Sequence, residues 1–576
     1  MGEPLAHIDG VTKRFSKIGP PAIDTVSASI AAGSITGLVG PDGAGKTTLL
    51  RLLAGLLAPE RGTVTVCGFD SVRDIARARP LIAYMPQHFG LYEELTVIEN
   101  LTLYADLRSV PDDKRSGVFE RLLDFTDLAQ FTKRRAGKLS GGMKQKLGLA
   151  CALMGSPRLL LLDEPSVGVD PISRLELWRM TLELADQGIG VVWSTAYLDE
   201  AERCHSVLLL SEGKPVFHGP PADFTRALDG RVALIRDMPG DKRDILMRAT
   251  ASPDVLDGVI QGNTVRLVFT KPMTEAQMRG VLSLEGADIR PAPPRFEDAF
   301  MASLGGGPKT RSRFASLPAH GAAADEIVIE ADMLTKKFGD FTAADKITFS
   351  IPRGEVFGLI GPNGAGKSTT FKMLCGLLRP TSGSAHVSGL DFAAAPSKAR
   401  ARLGYMAQKF SLYSDLSVRQ NLEFFAGAYG LSGKRKAAAL DQAIATFNFA
   451  PYLDAKAASL PLGFKQRLAL ACAVLHDPDV LFLDEPTSGV DPRTRREFWS
   501  HINAMARRGV TIMVTTHFLD EAEYCDRIAL IFRGQVIAKG LPDELKELSR
   551  RGEDAAPTLE QAFITLVREF GAREEL

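Results

Sequence analysis

Two glycine-rich segments carry the residue types that bind a chain of phosphates. Both match the pattern GxxxxGK[ST], as Gly40-Pro41-Asp42-Gly43-Ala44-Gly45-Lys46-Thr47-Thr48 and Gly361-Pro362-Asn363-Gly364-Ala365-Gly366-Lys367-Ser368-Thr369. Glycines let the backbone wrap around phosphates with its N–H groups pointing inward. Lys46 and Lys367 would reach the β- and γ-phosphates of a nucleotide, and the hydroxyls that follow them would bind Mg²⁺.

Each glycine-rich segment lies between a strand-like and a helix-like stretch. Apolar runs precede them at Ile35–Val39 and Val356–Ile360, and helix-like stretches follow at Thr48–Leu57 and Thr369–Leu378. A helix N-terminus that faces the phosphates adds favourable electrostatics. A single match can be a chance glycine turn, but two matches in this context predict two nucleotide sites.

Two further apolar runs end in acidic pairs, Asp163-Glu164 and Asp484-Glu485. An apolar run that ends in Asp is the Walker B pattern, in which the aspartate holds Mg²⁺ directly or through water. The glutamate that follows would polarise an attacking water. The alternative is a core strand that ends at solvated acids. The position of each pair downstream of a phosphate motif favours the metal and water-activating roles.

The chain is a tandem repeat with a constant offset. The glycine-rich segments, the acidic pairs and the glycines Gly219 and Gly540 all recur after 321 residues. The offset falls to 263 between Phe296 and Leu559, so the first copy carries an excess of 58 residues. A constant offset that holds from Gly40 to Gly219 predicts two copies of one domain rather than an array of short repeats.

The excess segment has the pattern of a small α/β extension. Its periodicity predicts the order strand, helix, strand, strand, helix, strand over Val232–Arg236, Lys242–Arg248, Val255–Ile260, Thr264–Phe269, Glu275–Val281 and Asp288–Arg290. The Gly-, Ala-, Ser- and Pro-rich stretch that follows predicts a flexible linker, in which Lys309, Arg311 and Arg313 are solvated charges or contacts for an acidic partner. The predicted domains are a first repeat domain (1–222), the extension (223–303), the linker (304–325), a second repeat domain (326–548) and a tail (549–576).

Composition restricts the function classes. The 576 residues include 69 basic and 69 acidic side chains, so the net charge is zero and gives no general case for a nucleic-acid partner. The apolar fraction of 45% excludes global disorder. The six cysteines form no CxxC pair, which argues against zinc ribbons and iron–sulfur clusters and suits a reducing cytosol. No run approaches 18 apolar residues and the N-terminus lacks a signal-peptide pattern, so we expect no membrane span.

A third motif carries a family resemblance. Leu139-Ser140-Gly141-Gly142-Met143-Lys144-Gln145 resembles the signature motif of ATP-binding-cassette (ABC) ATPases. The order of phosphate motif, Gln87, signature, acidic pair and Asp170 is that of this superfamily. The Leu-Glu-x-Ala-Phe ending at Leu559, among other details, resembles the ATPase subunits of bacterial ABC-2 type exporters, in particular those with two cassettes.

The resemblance implies an α/β fold, with two P-loop NTPase domains in tandem. Each cassette would have a small antiparallel β-subdomain and a helical subdomain, and would bind ATP and Mg²⁺. Two cassettes would close head to tail, so that each phosphate loop meets the signature of the other cassette, such as Ser140, Gly141 and Gly142. Gln87 and Gln408 would lie where the γ-phosphate, Mg²⁺ and the membrane partner meet. Phe15 and Phe338 would stack on adenine, with the alternative that they are core residues of the β-subdomain.

The two repeats depart from the family pattern at different motifs. The family's switch histidine is present as His517 but is replaced by Ala196 in the first copy. The second signature reads Leu460-Pro461-Leu462-Gly463, where proline has neither a hydroxyl nor an N–H and leucine blocks close backbone approach. In head-to-tail pairing, both defects fall on the site of Lys46, Asp163 and Glu164. The site of Lys367, Ser368, Thr369, Asp484, Glu485, Gln408 and His517 stays complete, which predicts one hydrolytic site and one that mainly holds nucleotide.

The favoured function is the ATP-hydrolysing motor subunit of an ABC-2 type exporter for drugs. It would dock on integral-membrane permease subunits, two chains by expectation, at the cytoplasmic face of the inner membrane. The alternative is a double-ABC protein that acts on ribosomes, although such proteins keep both signatures and a long charged linker. A DNA-repair ABC ATPase would need zinc cysteines or a coiled coil, and a fused sugar importer fits the chain ending less well. The sequence does not indicate the transported substrate.

Overall fold

The computed structural model describes residues 4–16, 19–87, 90–238, 240–282, 286–308, 312–320, 326–391, 402–408, 411–550 and 557–574. The chain divides into two compact units. The first comprises Met1–Asp229 with Pro294–Phe300, and the second comprises Gly230–Pro293 with Met301–Leu576. The extension therefore belongs to the same unit as the second cassette.

The first cassette is built on a six-stranded sheet with the strand order Lys214–Gly219, Ser206–Ser211, Ile35–Val39, Gly190–Thr195, Leu159–Asp163, Ile82–Met85. All neighbours in it are parallel except the edge strand Lys214–Gly219. A separate antiparallel sheet has the order Ile23–Ile30, Ala6–Lys13, Arg61–Val66, Phe69–Asp70. The helices are Lys46–Leu53, Ile75–Ala78, Val97–Leu107, Asp112–Phe125, Gly141–Ala152, Pro171–Asp186, Leu198–Arg203, Pro221–Thr225 and Phe296–Ser303.

The second cassette repeats this architecture. Its six-stranded sheet has the order Leu403–Met406, Val480–Asp484, Thr511–Thr516, Val356–Ile360, Arg527–Phe532, Gln535–Gly540. Its antiparallel sheet has the order Phe341–Pro352, Ile327–Phe338, Ser382–Val387, Leu390–Asp391. The helices are Lys367–Leu374, Val418–Ala428, Gly433–Thr446, Leu462–Val474, Pro492–Arg507, Leu519–Ala522, Pro542–Leu548 and Leu559–Glu574.

The sequence explains why these elements form. The strands that lead to the phosphate loops and to the acidic pairs are buried at every residue, as the continuous apolar runs predict for parallel strands covered on both faces. Equivalent helices of the helical subdomains begin with a capping box, at Thr96 with Glu99 and at Ser417 with Gln420. Over the described ranges, no helix combines the length and apolar character that a membrane span requires.

The extension has the six predicted elements, with the bounds Val232–Arg236, Lys242–Thr250, Val255–Gln261, Thr264–Phe269, Glu275–Leu282 and Asp288–Pro291. Its strands form one antiparallel sheet in the order second, third, first, fourth, which is a ferredoxin-like arrangement. A separate hydrophobic core, which includes Ile235, Phe269 and Met278, holds the sheet and helices together.

The prediction of a flexible linker is wrong over residues 312–320, which pack against the second cassette. The Phe314 ring is buried and lies edge-on to Phe447 and to His501. Arg508 Nε donates to the carbonyl oxygen of Pro318 at 2.9 Å. The segment has few apolar residues, so its composition did not indicate that it packs against the cassette. Lys309, Arg311 and residues 321–325 lie outside the described residues.

Candidate active sites

The phosphate loops have the strand–loop–helix geometry that the motifs predict. Each lysine is buried in the first turn of its helix and donates to two carbonyl oxygens of its own loop. Lys46 Nζ lies 2.9 Å from Gly40 O and 3.4 Å from Pro41 O. The Lys367 Nζ distances to the equivalent oxygens of Gly361 and Pro362 are 2.6 and 3.0 Å. The ammonium groups are therefore fixed against the loops that would surround the phosphates.

Two loop glycines cannot be replaced without strain. Gly45 and Gly366 precede the helices with φ of 101° and 102°, a region that favours glycine. A Cβ at these positions would lie 2.4 Å from Ala22 O and 2.3 Å from Ala343 O, respectively. The third glycine of each motif is thus required both by its dihedral angle and by the close approach of a neighbouring strand end.

In the first cassette, the predicted metal and water-activating residues converge. Thr47 Oγ1 donates to Asp163 Oδ1 at 3.2 Å, and Tyr84 OH donates to the other carboxylate oxygen at 3.1 Å. Gln87 Nε2 donates to Glu164 Oε2 at 2.5 Å, and Lys46 Nζ forms an ion pair with Glu164 Oε1 at 3.4 Å. A hydroxyl, a carboxylate and an amide oxygen are the ligands that Mg²⁺ prefers, so this cluster fits the ion.

The second cassette has a similar cluster, in which a histidine joins the glutamate and the glutamine. Gln408 Nε2 donates to Glu485 Oε2 at 2.8 Å, and His517 Nδ1 lies 3.1 Å from the same oxygen. Thr515 Oγ1 donates to Asp484 Oδ1 at 2.5 Å. Among the described contacts, none joins Ser368 to Asp484, in contrast to Thr47 and Asp163.

The surroundings of the second acidic pair shift the pKa values of its two carboxyl groups in opposite directions. Burial raises the pKa of Asp484, and this effect outweighs the Thr515 hydrogen bond and the nearby lysines. Burial also opposes ionisation of Glu485, but His517, Lys367 and Gln408 together lower its pKa below the ordinary value. Glu485 is therefore held as a carboxylate, the form that a general base requires.

The two glutamates that are candidates for activating water share an unusual backbone conformation. Glu164 and Glu485 have φ of 51° and 48°, which is uncommon for a residue with a side chain. Their N–H groups are held by the neighbouring strand, through Ser194 O at 3.1 Å and Thr515 O at 3.0 Å. Local strain of this kind clusters at functional sites, where the surrounding structure imposes it.

Two buried acids behind the switch position were not predicted from the sequence. In the first cassette, Glu200 accepts hydrogen bonds from Trp193, Thr195 and Ser166. In the second, Glu521 accepts from Thr516 and Thr487 and lies 3.3 Å from Arg495 Nε. Burial raises the pKa of both carboxyl groups. Their recurrence four residues after Ala196 and His517 at the repeat offset was the available signal.

The structure places the two signatures at equivalent helix N-termini. Ser140 caps the helix Gly141–Ala152, and its Oγ accepts from Met143 N at 3.3 Å. Pro461 occupies the same position before Leu462–Val474 and offers no side-chain acceptor. The Leu462 side chain is 39% exposed, at the position where Gly141 has none.

Phe15 and Phe338 are exposed, by 66% and 51%, so the alternative that they are core residues is wrong. Each ring lies beside a lysine ammonium, Lys13 at 5.9 Å and Lys336 at 5.3 Å from the ring centroid. Phe338 is the last residue of its strand. An exposed ring at a strand end is available to stack on a planar base.

Comparison with known proteins decides the family. A family model described as "ABC transporter" matches residues 23–167 and again residues 344–488. The chain is 55% identical over 571 residues to "Probable multidrug ABC transporter ATP-binding protein YbhF" of Escherichia coli (strain K12), with 99% of each chain covered. The chain belongs to the ABC transporter ATP-binding proteins. It is accordingly an ATPase of the type coupled to transport, and its two ABC domains bind ATP.

Further similarities agree with a tandem ABC fold. A "Nod factor export ATP-binding protein I" of Paraburkholderia xenovorans (strain LB400) is 40% identical over 221 residues, which cover 38% of this ABC protein and 73% of that one. A solved structure described as "RNase-L Inhibitor" matches with a TM-score of 0.58 and 20% identity, covering 93% of this chain and 91% of that one. At that identity the likeness shows the fold alone, and it confirms two α/β cassettes in one chain.

Proposed function

We propose that this ABC protein is the motor subunit of an ABC-2 type exporter that moves drugs out of the cell. The full-length likeness to a protein named as a probable multidrug ABC transporter ATP-binding protein carries this proposal. The chain would sit at the cytoplasmic face of the inner membrane and bind two integral-membrane permease chains. ATP binding and hydrolysis would shift those permeases between two states, since a ligand drives a transition only through its different affinity for each state.

In this proposal the two cassettes close head to tail on two ATP molecules. Mg²⁺ would be held by the hydroxyl, carboxylate and glutamine of each site, which are Thr47, Asp163 and Gln87 in the first and Ser368, Asp484 and Gln408 in the second. The loop residues would surround the phosphates, namely Gly40, Gly43, Gly45, Lys46 and Thr48 and the equivalent Gly361, Gly364, Gly366, Lys367 and Thr369. Phe15 and Phe338 would stack on adenine.

The second site would perform the hydrolysis. Glu485 would polarise the attacking water, and His517, 3.1 Å from its carboxylate, would orient the glutamate and contact the γ-phosphate. Head-to-tail pairing gives this site the intact Ser140, Gly141 and Gly142. The first site would retain nucleotide, because Ala196 replaces the histidine and the Pro461-Leu462 signature grips phosphate poorly.

Co-purification from the native cell tests the partner. A tagged Glu485→Gln chain would be extracted in mild detergent with ATP, which holds the closed state, and its partners would be identified by mass spectrometry. Glu164→Gln is the matched control, since it carries the same change in the other cassette. We expect polytopic permease subunits in stoichiometric amount with Glu485→Gln. Recovery of ribosomal proteins without a permease would contradict the exporter role.

A further inference from the structure

The Glu521 side chain is buried in the second cassette, and the groups around its carboxylate come from three other segments of the chain. The Thr516 hydroxyl donates to Oε2 at 3.1 Å, and the Thr487 hydroxyl donates to Oε1. Arg495 Nε lies 3.3 Å from the same Oε1. A buried carboxylate is costly unless it is paired and hydrogen-bonded, so these contacts allow Glu521 to remain in the interior.

The two threonines belong to the segments that carry His517 and Glu485. Thr516 directly precedes His517, and its Oγ1 also accepts from Phe518 N at 2.9 Å. Thr487 lies in the turn that follows Glu485, two residues further along the chain. One carboxylate therefore joins the strand end that leads to the histidine to the turn that begins at the glutamate.

This connection lies where the pairing of the two strands stops. The last paired residues of the strands are Asp484 and Thr515. Glu485 and His517 come after them, so regular pairing no longer sets the spacing of their side chains. The 3.1 Å between His517 Nδ1 and Glu485 Oε2 thus depends on contacts beyond the strands. Glu521, bound to both segments, supplies such contacts.

The first cassette has the same arrangement without the histidine. Glu200 is buried and accepts from Ser166 Oγ at 2.9 Å and from Thr195 Oγ1 at 2.7 Å. The residue after Thr195 is Ala196, which has no side chain to place at Glu164. Any contribution of this arrangement to local stability is common to both cassettes, whereas the placing of a histidine belongs to the second alone.

We propose that Glu521 is a positioning residue for ATP hydrolysis, whose carboxylate binds Thr516 and Thr487 together and so holds His517 at Glu485. Its side chain has no exposed surface, so it would act through these residues and not on the nucleotide. The inference rests on the proposed hydrolytic role of the second site. A small misplacement of reacting groups can lower a rate by about 10²-fold, so the loss of this connection should be visible in kcat.

Thr516→Val tests the connection with little change of shape, because valine keeps the volume and the branching of threonine and removes only the hydroxyl. We expect kcat to fall about 10-fold to 10²-fold, whereas the affinity for ADP, from equilibrium titration, should change little. Thr195→Val is the matched control, since it removes the equivalent hydrogen bond next to Ala196, and it should change kcat little. Equal falls in kcat for the two variants would overturn the positioning role.

A double variant separates positioning from general damage. Glu521→Gln replaces one carboxylate oxygen by an amide NH2 group, which cannot accept from a threonine hydroxyl. It should lower kcat in the native chain but lower it no further in His517→Ala, where the histidine that Glu521 would place is already absent. Losses that multiply in the double variant would assign Glu521 a structural role only and overturn the proposal.

Glu485→Gln, measured beside these variants, distinguishes the two levels of the argument. If Glu485→Gln keeps the kcat of the native chain, the proposed hydrolytic site fails, and the positioning role fails with it. If Glu485→Gln loses activity but Thr516→Val and Glu521→Gln do not, only the positioning role of Glu521 is overturned.

Discussion

At the residue scale, the two acidic pairs differ chiefly in one neighbour. Glu164 and Glu485 share the left-handed backbone and a glutamine donor at 2.5 and 2.8 Å. Only Glu485 has a histidine, because Ala196 occupies the equivalent position in the first cassette. The predicted difference in activity between the two sites thus results from the side chains around two glutamates that share one backbone conformation.

Replacement of His517 should therefore affect catalysis more than binding. We expect His517→Ala to lower kcat for ATP hydrolysis by about 10²-fold or more, because the glutamate loses its orienting partner. The affinity for ADP, which lacks the γ-phosphate that His517 would contact, should change little in an equilibrium titration. Ala196→His is the reciprocal control and should restore little activity, since the defective second signature remains. A large gain from Ala196→His would contradict this account.

The pH dependence of the same variant gives a second test. Burial raises the pKa of Glu485, whereas His517, Lys367 and Gln408 lower it to a net value below the ordinary one. Activity that needs the carboxylate is therefore lost as the pH falls through this lowered pKa. Without His517 the effect of burial is less opposed, so the acidic limb of the kcat profile should move to higher pH in His517→Ala. An unmoved limb would show that the histidine does not act on Glu485.

At the element scale, the extension is held to the second cassette by buried polar contacts. Arg243 NH2 lies 2.6 Å from Asp526 Oδ2, the same oxygen that accepts from Val356 N at 2.9 Å. Val356 is the first residue of the strand that leads to the second phosphate loop. Gly262 N also donates to Glu523 O at 2.8 Å, within the segment that follows the switch helix. The extension thus contacts the start of the strand before the second phosphate loop and the segment that follows His517.

Loss of the Arg243 guanidinium should loosen this junction. Arg243→Met should lower the stability of the junction between the extension and the second cassette by about 1.5–3 kcal/mol, the usual range for hydrogen bonds to a charged group. Hydrogen exchange of the helix Lys242–Thr250 would report the loss as faster exchange. Arg248→Met, an exposed position on the same helix, should leave exchange unchanged. Equal protection in the two variants would contradict the structural role of Arg243.

The segment 312–320 should bind the second cassette in a pH-dependent manner. Asp477, helped by Asp479, raises the pKa of His320 against the opposing effects of burial and Arg508. His320 and Arg508 lower the pKa of Asp477 to about 2, although burial acts in the other direction. The contribution of His320 to the stability of the docked segment is therefore complete below its ordinary pKa of 6.5. It is lost as the pH rises through the raised pKa. The contribution of Asp477 to the same stability is present above its ordinary pKa of 3.8 and is lost as the pH falls towards 2.

Amide exchange at residues 312–320, corrected for its intrinsic pH dependence, should accordingly be slower at pH 6 than at pH 8. His320→Gln should remove this difference, and the strand Thr264–Phe269 serves as an internal control. Persistence of the difference in His320→Gln would assign the pH dependence to another group.

At the scale of the whole molecule, features that depend on local sequence patterns could be predicted, whereas contacts between distant parts of the chain could not. The phosphate loops, the acidic pairs and the six elements of the extension could be predicted, because spacing and periodicity are local properties. The docking of the extension could not, since Arg243 and Asp526 are 283 residues apart and neither belongs to a recognisable motif. The linker prediction was wrong over 312–320 because composition does not reveal the contacts of individual side chains, such as the buried Phe314 ring.

The repeat itself explains the asymmetry of the chain. Two cassettes of one fold in a single chain can differ in their motifs. The first cassette has Ala196 in place of the switch histidine, and the second has Pro461 and Leu462 in its signature. If the cassettes act as one head-to-tail pair, both differences fall on the site of Lys46 and leave the site of Lys367 complete.

The ATPase rates of Glu485→Gln and Glu164→Gln, measured side by side on the full-length chain, test this account most directly. The substitution keeps the size of the side chain and removes the charge that a general base needs. We predict that Glu485→Gln lowers kcat by about 10²–10⁴-fold, whereas Glu164→Gln changes it by much less. Equal losses from the two substitutions would contradict the assignment of one hydrolytic site.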